Sequence, residues 1–223
     1  MTALPARDAY RLWAPTYVAE TAITALECGL VDGLTPPLHG LRLLDAGCGT
    51  GRRLRGSAAA SAVGVDLSPE MLAAGDIMYD TSVALMVGDV RALSLPDAAF
   101  DVSWCRLVIG HLPACAPAYA ELARVTSPGG TVIVSDFHPD AHQAGHRRTF
   151  RSGSVVHEVE HYIHTLPDHR AAATAAGLRL MEKREAAIGP EVRPYYERAD
   201  RLALYEEHVG LPVVLALAFR REG

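Results

Sequence analysis

The stretch Leu43-Leu44-Asp45-Ala46-Gly47-Cys48-Gly49-Thr50-Gly51 constrains the fold more than any other part of the chain. A short apolar run closes on a carboxylate and passes straight into a glycine-rich turn. Such a turn between a strand and a helix lets a ligand approach the backbone, because no Cβ blocks it. It also leaves unpaired N–H groups at the helix start. A dinucleotide fingerprint of the G-x-G-x-x-G type would need its third glycine at position 52, which is Arg52; here the glycines fall at 47, 49 and 51.

The rest of the chain repeats this alternation. Apolar runs at 41–46, 62–66, 83–87, 100–105 and 131–135 are each bounded by Gly, Pro or Asp, as expected for parallel strands buried on both faces. Helical stretches at 68–75 and 115–126 lie between them, the first opened by Ser68-Pro69-Glu70, a good N-cap followed by a first-turn proline. Residues 178–188 read as a further strand, 193–209 as one helix and 212–219 as a last strand, while 10–34 reads as one or two helices able to form a lid. The expected architecture is a three-layer α/β sandwich. As a single domain it divides into an N-terminal helical cap (1–38), a ligand-binding half (39–136), an insert (137–170) and a C-terminal part (171–223).

Two further carboxylates fall at strand ends. Asp66 closes the second strand, fifteen residues after Gly51, where an acidic side chain can accept hydrogen bonds from ribose hydroxyls. Asp89, in Gly88-Asp89-Val90, closes the third and can hold an adenine amino group. A cationic sulfonium is better tolerated among these carboxylates than a pyrophosphate. The net charge of −5 lacks the basic footprint of a nucleic-acid binder. Four widely spaced cysteines without a C-x-x-C pair read as reduced thiols. Without a signal-type N-terminus or an apolar run of membrane-spanning length, the expectation is a cytoplasmic protein with no membrane or nucleic-acid partner, monomeric or homodimeric.

The segments LLDAGCGTG, VGVDLSPEML, GDV, LPDAAFDVSWCRLVIGHL and ELARVTSPGGTVIVSDF, taken in order, resemble the successive motifs of class I (Rossmann-like) methyltransferases dependent on S-adenosylmethionine, on the small-molecule side and similar to the ubiquinone and menaquinone enzymes. The resemblance covers Tyr10 to Phe137 and the last two strands. It implies a seven-stranded, mostly parallel sheet with an antiparallel last strand, S-adenosylmethionine as cofactor, and S-adenosylhomocysteine as product. It further implies that Gly47, Cys48 and Gly49 pass under the methionine part with Asp45 orienting the loop. Asp66 would hold the ribose, Leu67 and Met71 would flank the adenine, and Asp89 with Val90 would recognise its edge. Cys105 and Arg106 would meet the cofactor again after the fourth strand. Tyr10, Ala14 and Tyr17 resemble the family's Y-x-x-x-A-x-x-Y motif, which puts Tyr17 near the cofactor carboxylate or sulfonium. The position after the fourth strand departs from the N-P-P-Y type of amine methylases, reading Cys105-Arg106-Leu107-Val108. A second reading stays open: a cofactor-binding protein on the same scaffold that does not methylate.

Seven of the ten histidines lie between His138 and His169. His157-Glu158-Val159-Glu160-His161 matches H-E-x-x-H, which binds zinc only on a helix. This stretch is rich in β-branched residues after a Ser152-Gly153-Ser154 turn and reads as a strand, which places the two rings about 13 Å apart. No metal is expected from this motif, while a site assembled from His138, His142 and another ligand stays open. His138, His142 and His146 follow the fifth strand at the carboxyl edge and can face an acceptor, with His138, His146 and also His111 as candidate bases. Arg147 or Arg148 can hold an acidic acceptor.

Overall fold

The computed structural model describes residues 3–17, 20–75 and 83–223. Seven strands form one sheet: β1 (Arg42–Ala46), β2 (Ser61–Asp66), β3 (Val83–Val87), β4 (Phe100–Arg106), β5 (Thr126–Phe137), β8 (Leu178–Ala187) and β9 (Pro212–Arg221), in the order β3-β2-β1-β4-β5-β9-β8. Neighbours from β3 to β5 run parallel, and β9 pairs antiparallel with both β5 and β8. The remaining strands, β6 (Thr149–Ser152) and β7 (Val155–Glu158), make a separate hairpin.

Period-two alternation assigns the two faces of the sheet. Leu43, Val102, Trp104 and Ile133 pack to one side, against Val31 of α2 (Ala22–Leu34). Leu44, Cys105, Val132 and Val134 pack to the other, against α4 (Ala116–Val125) and α6 (Leu166–Ala175). Full burial of side chains such as Leu43, Leu44, Ile133 and Tyr119 contributes on the order of 1.5–3 kcal/mol each. The shorter helices are α1 (Ala6–Trp13), α3 (Pro69–Ala74), α5 (Pro139–Gln143), α7 (Arg193–Arg198) and α8 (Leu202–His208). No helix among the described residues is long and apolar enough to cross a membrane.

The expected strands are present within a few residues at each end, β5 starting five residues earlier than expected. One helical expectation needs correction. The stretch 193–209 is two helices, because Asp200 adopts φ +54° between them, a left-handed conformation that Asp tolerates better than most residues. The histidine-rich segment passes into α6 through a capping box. Thr165 accepts from the Asp168 amide, and the Asp168 carboxylate accepts from the Thr165 amide.

Candidate active site

The glycine loop after β1 is fastened by two backbone bonds. The amides of Gly47 and Cys48 donate to the Val65 carbonyl at 2.7 and 3.0 Å. Gly47 has φ +86°, and a Cβ there would lie 2.2 Å from a Val108 methyl carbon. Gly49 has φ +59°, and its amide donates to Asp66 Oδ2 at 2.7 Å. The other oxygen of Asp66 accepts from the Ser68 amide at 2.9 Å. Burial pushes the Asp66 carboxyl up, and these amides partly offset it. Ser68 then caps α3 through the Met71 amide, which seats the buried Met71 beside the loop.

These elements surround a cavity of about 240 Å³ at the carboxyl edge of the sheet. Tyr17, Gly47, Gly49, Asp66, Leu67 and Met71 line it. Asp89, Val90, Arg106 and His111 line it too. Asp89 is gripped by the Arg91 guanidinium at 2.6–3.1 Å, which holds its carboxyl below the usual range. A smaller space of about 50 Å³ continues behind the loop, lined by Asp45, Cys48 and Arg106 among others. Asp45 is buried there, and its Oδ1 has no hydrogen-bond partner. Burial raises its carboxyl to about 7, with Arg106 opposing the shift and Glu27 adding to it.

Glu27 was not anticipated. It sits on the buried face of α2, where Arg106 Nε and Nη2 donate to its two oxygens at 2.9 and 2.8 Å. The Ser135 hydroxyl donates to it at 2.7 Å, and Arg53 lies 3.5 Å away. Burial disfavours the charge on Glu27, but Arg106 and Arg53 outweigh it and hold the carboxyl below its usual range. The available signal was a carboxylate at mid-helix within the largely apolar stretch 22–34, whose other acid, Asp32, lies near its end.

The expected acceptor-side residues separate. His111 lies at the cavity wall, with Nδ1 3.2 Å from the Glu160 carbonyl and Nε2 3.0 Å from the Tyr10 hydroxyl. A carbonyl only accepts, so Nδ1 carries the proton and Nε2 accepts from Tyr10. Burial, reinforced by Arg148, pushes His111 well below its ordinary value, so the ring is neutral. His146 lines a second cavity of about 170 Å³ between α1, α2 and the insert. Two expectations are corrected. His138 faces none of these cavities: its Nδ1 accepts from the Asp140 amide as the N-cap of α5, and its Nε2 lies 3.3 Å from Glu185. Cys105 points to the α4 side of β4 and is fully buried in the main core, because its neighbour Arg106 takes the cavity side. His157 and His161 also part company, the first stacking on Phe150 and the second reaching Phe137 and His111.

A parallel sheet with its last strand inserted antiparallel, and a glycine loop between acidic strand ends, define the Rossmann-like architecture of class I methyltransferases. Residues 44–134 match the methyltransferase domain family. The 27-O-demethylrifamycin SV methyltransferase of Amycolatopsis mediterranei is 33% identical over 192 residues, covering 81% of this chain and 68% of that protein. The malonyl-[acyl-carrier protein] O-methyltransferase of Erwinia billingiae is 38% identical over 105 residues, 46% of this chain. This alignment spans only 41% of the relative's length. An S-adenosylmethionine-dependent methyltransferase from Mesorhizobium loti superposes with a TM-score of 0.69 at 23% identity, covering 90% of this chain and all of that one. The chain belongs to the methyltransferase domain family.

Proposed function

We propose that this protein transfers the sulfonium methyl of S-adenosylmethionine to a small-molecule acceptor. The observation that carries the reading is the orphaned Asp45 Oδ1 behind the glycine loop. A buried carboxylate without a partner is costly, and the α-ammonium of a methionine moiety is the partner it lacks. Asp66 keeps lone pairs free for ribose hydroxyls beyond the two backbone bonds it accepts. Leu67 and Met71 offer the adenine two apolar surfaces, with Asp89 and Val90 at its edge, and Tyr17 lines all three cavities where they adjoin.

When bound, the cofactor supplies an activated methyl group for in-line displacement. The chain's own contribution is alignment and exclusion of water. Arg106, neutralised by Glu27, props the loop from behind. Where the acceptor nucleophile carries a proton, Tyr10 can take it while passing its own to Nε2 of the neutral His111. The N-terminal helices and the insert close the acceptor side. The overall charge of −5 favours a small molecule over nucleic acid.

Calorimetric titration with S-adenosylmethionine and, separately, with NAD tests this reading. Binding of the former alone is expected. Asp66→Ala should weaken it by roughly 100-fold, the worth of two hydrogen bonds to a charged group. Binding of NAD alone refutes the proposal, and undiminished affinity in the variant removes Asp66 from the ribose contact.

A further inference from the structure

The second cavity adjoins the cofactor cavity along Tyr17, Leu107 and Arg148, which line both. Trp13, Ile23 and Phe137 make its walls apolar. Its volume of about 170 Å³ is close to the ~150 Å³ apolar cavity that accommodates benzene, so it takes a body the size of one ring.

The two neighbouring arginines of the insert differ in what they are committed to. Arg147 Nη1 donates to the carbonyls of His142 and His146, both at 2.9 Å, and its Nε lies 3.9 Å from Glu158. It is tied to its own loop. Arg148 donates through Nη1 to the Leu107 carbonyl at 3.1 Å, and it lines the cofactor cavity together with Tyr10. That leaves most of its five N–H donors unused. Among the described residues it forms no ion pair with a carboxylate. Its charge nonetheless reaches the site, acting on Tyr10, His111 and His161. A half-buried guanidinium at the seam of two cavities, without a counter-ion, is built for an anion. Its planar fork matches a carboxylate through two parallel hydrogen bonds.

We infer that the methyl acceptor is a small carboxylic acid with a ring-sized apolar body, its carboxylate taken by Arg148 beside the cofactor cavity. The inference rests on the methyltransferase reading above. Around the cofactor the strand ends carry Asp45, Asp66 and Asp89, so an anionic acceptor needs a local cation to approach at all. Arg148 supplies it on the acceptor side of the seam, where the apolar walls fix the body and the guanidinium fixes the head.

The test is an NMR titration of the protein, with and without S-adenosylhomocysteine, using benzoate, benzamide and phenyl phosphate as matched probes. Benzoate is expected to bind at least tenfold more tightly than benzamide. Arg148→Gln should abolish that preference, while Arg148→Lys, a point charge without the fork, should retain part of it. Equal affinities for acid and amide, failure of benzoate to bind, a preference untouched in Arg148→Gln, or tighter binding of phenyl phosphate than of benzoate overturns the assignment. The S-adenosylhomocysteine titration is read separately: its failure strikes the cofactor reading, whereas the acid–amide preference without cofactor still reports on Arg148.

Discussion

Asp45 is the residue whose electrostatics link folding to ligand binding. Its carboxyl stands near 7 in the folded chain against 3.8 in an unfolded one, and burial is the main cause. A shift of this size corresponds to about 4 kcal/mol. Between pH 4 and 7 the folded state holds a proton that the unfolded state has released, so this group's contribution to stability is full below pH 4 and is lost as pH rises to 7. His161 acts in the opposite sense, since burial lowers it to about 4 and its contribution is lost on acidification from 6.5. Asp45→Asn separates the two. Urea unfolding across pH 4 to 8 should show the variant gaining up to about 4 kcal/mol on the wild type by pH 7, with no further change above it. An ammonium ligand selects the ionised carboxylate, so wild-type affinity for S-adenosylmethionine should fall below pH 7 and that of the variant should be weak and flat in this range. Parallel stability profiles would remove Asp45 from this role. At this scale the strand-end acids were legible because a carboxylate directly after an apolar run has one structural address. Cys105 was not, since motif spacing does not say which way adjacent side chains on β4 point, and alternation sends Cys105 to the core and Arg106 to the cavity.

Elements meet the site through one buried ion pair. Glu27 on α2 and Arg106 at the end of β4 lie 79 residues apart and are nearly inaccessible, at 1% and 5% side-chain exposure. The pair joins the α2 layer to the sheet directly behind the glycine loop, with Ser135 of β5 as a third point of attachment. Removing one partner strands the other charge. Glu27→Ala should therefore destabilise the protein by about 3–5 kcal/mol, whereas replacing both residues with methionine should recover much of that loss. Chemical denaturation decides the matter, and a cost below about 1 kcal/mol for the single variant would mean that water or Asp45 takes over as partner. Strands were readable from sequence as apolar runs with sharp borders. The division at Asp200 was not, because helical periodicity continues through 193–209 and one residue's φ interrupts it. The start of α6 was written in Thr165-Leu166-Pro167-Asp168, a capping signal obscured by the histidines around it.

At the scale of the molecule, two packing units of different size meet over the cavities. The sheet and its helices carry the large clusters, while Ala9 of α1, Phe150 of β6 and Val159 form a small separate one. Trp13 stacks on Phe150 with ring centroids 5.0 Å apart, and Leu4 forms a single parallel bridge to Val159. This small unit holds Tyr10 and Arg148 over the site, although its own core is three residues. Little apolar burial implies low local stability, so the roof should open without the sheet. Phe150→Ala deletes the ring at its centre. Amide exchange should then accelerate across residues 6–13 and 149–159 while β1, β4 and β5 keep their protection. Affinity for S-adenosylmethionine should fall several-fold, because binding must first reorder the residues that line the cavity. Loss of protection in the sheet strands in step with the hairpin would show a single cooperative unit, and the roof could not then serve as the part that admits the acceptor.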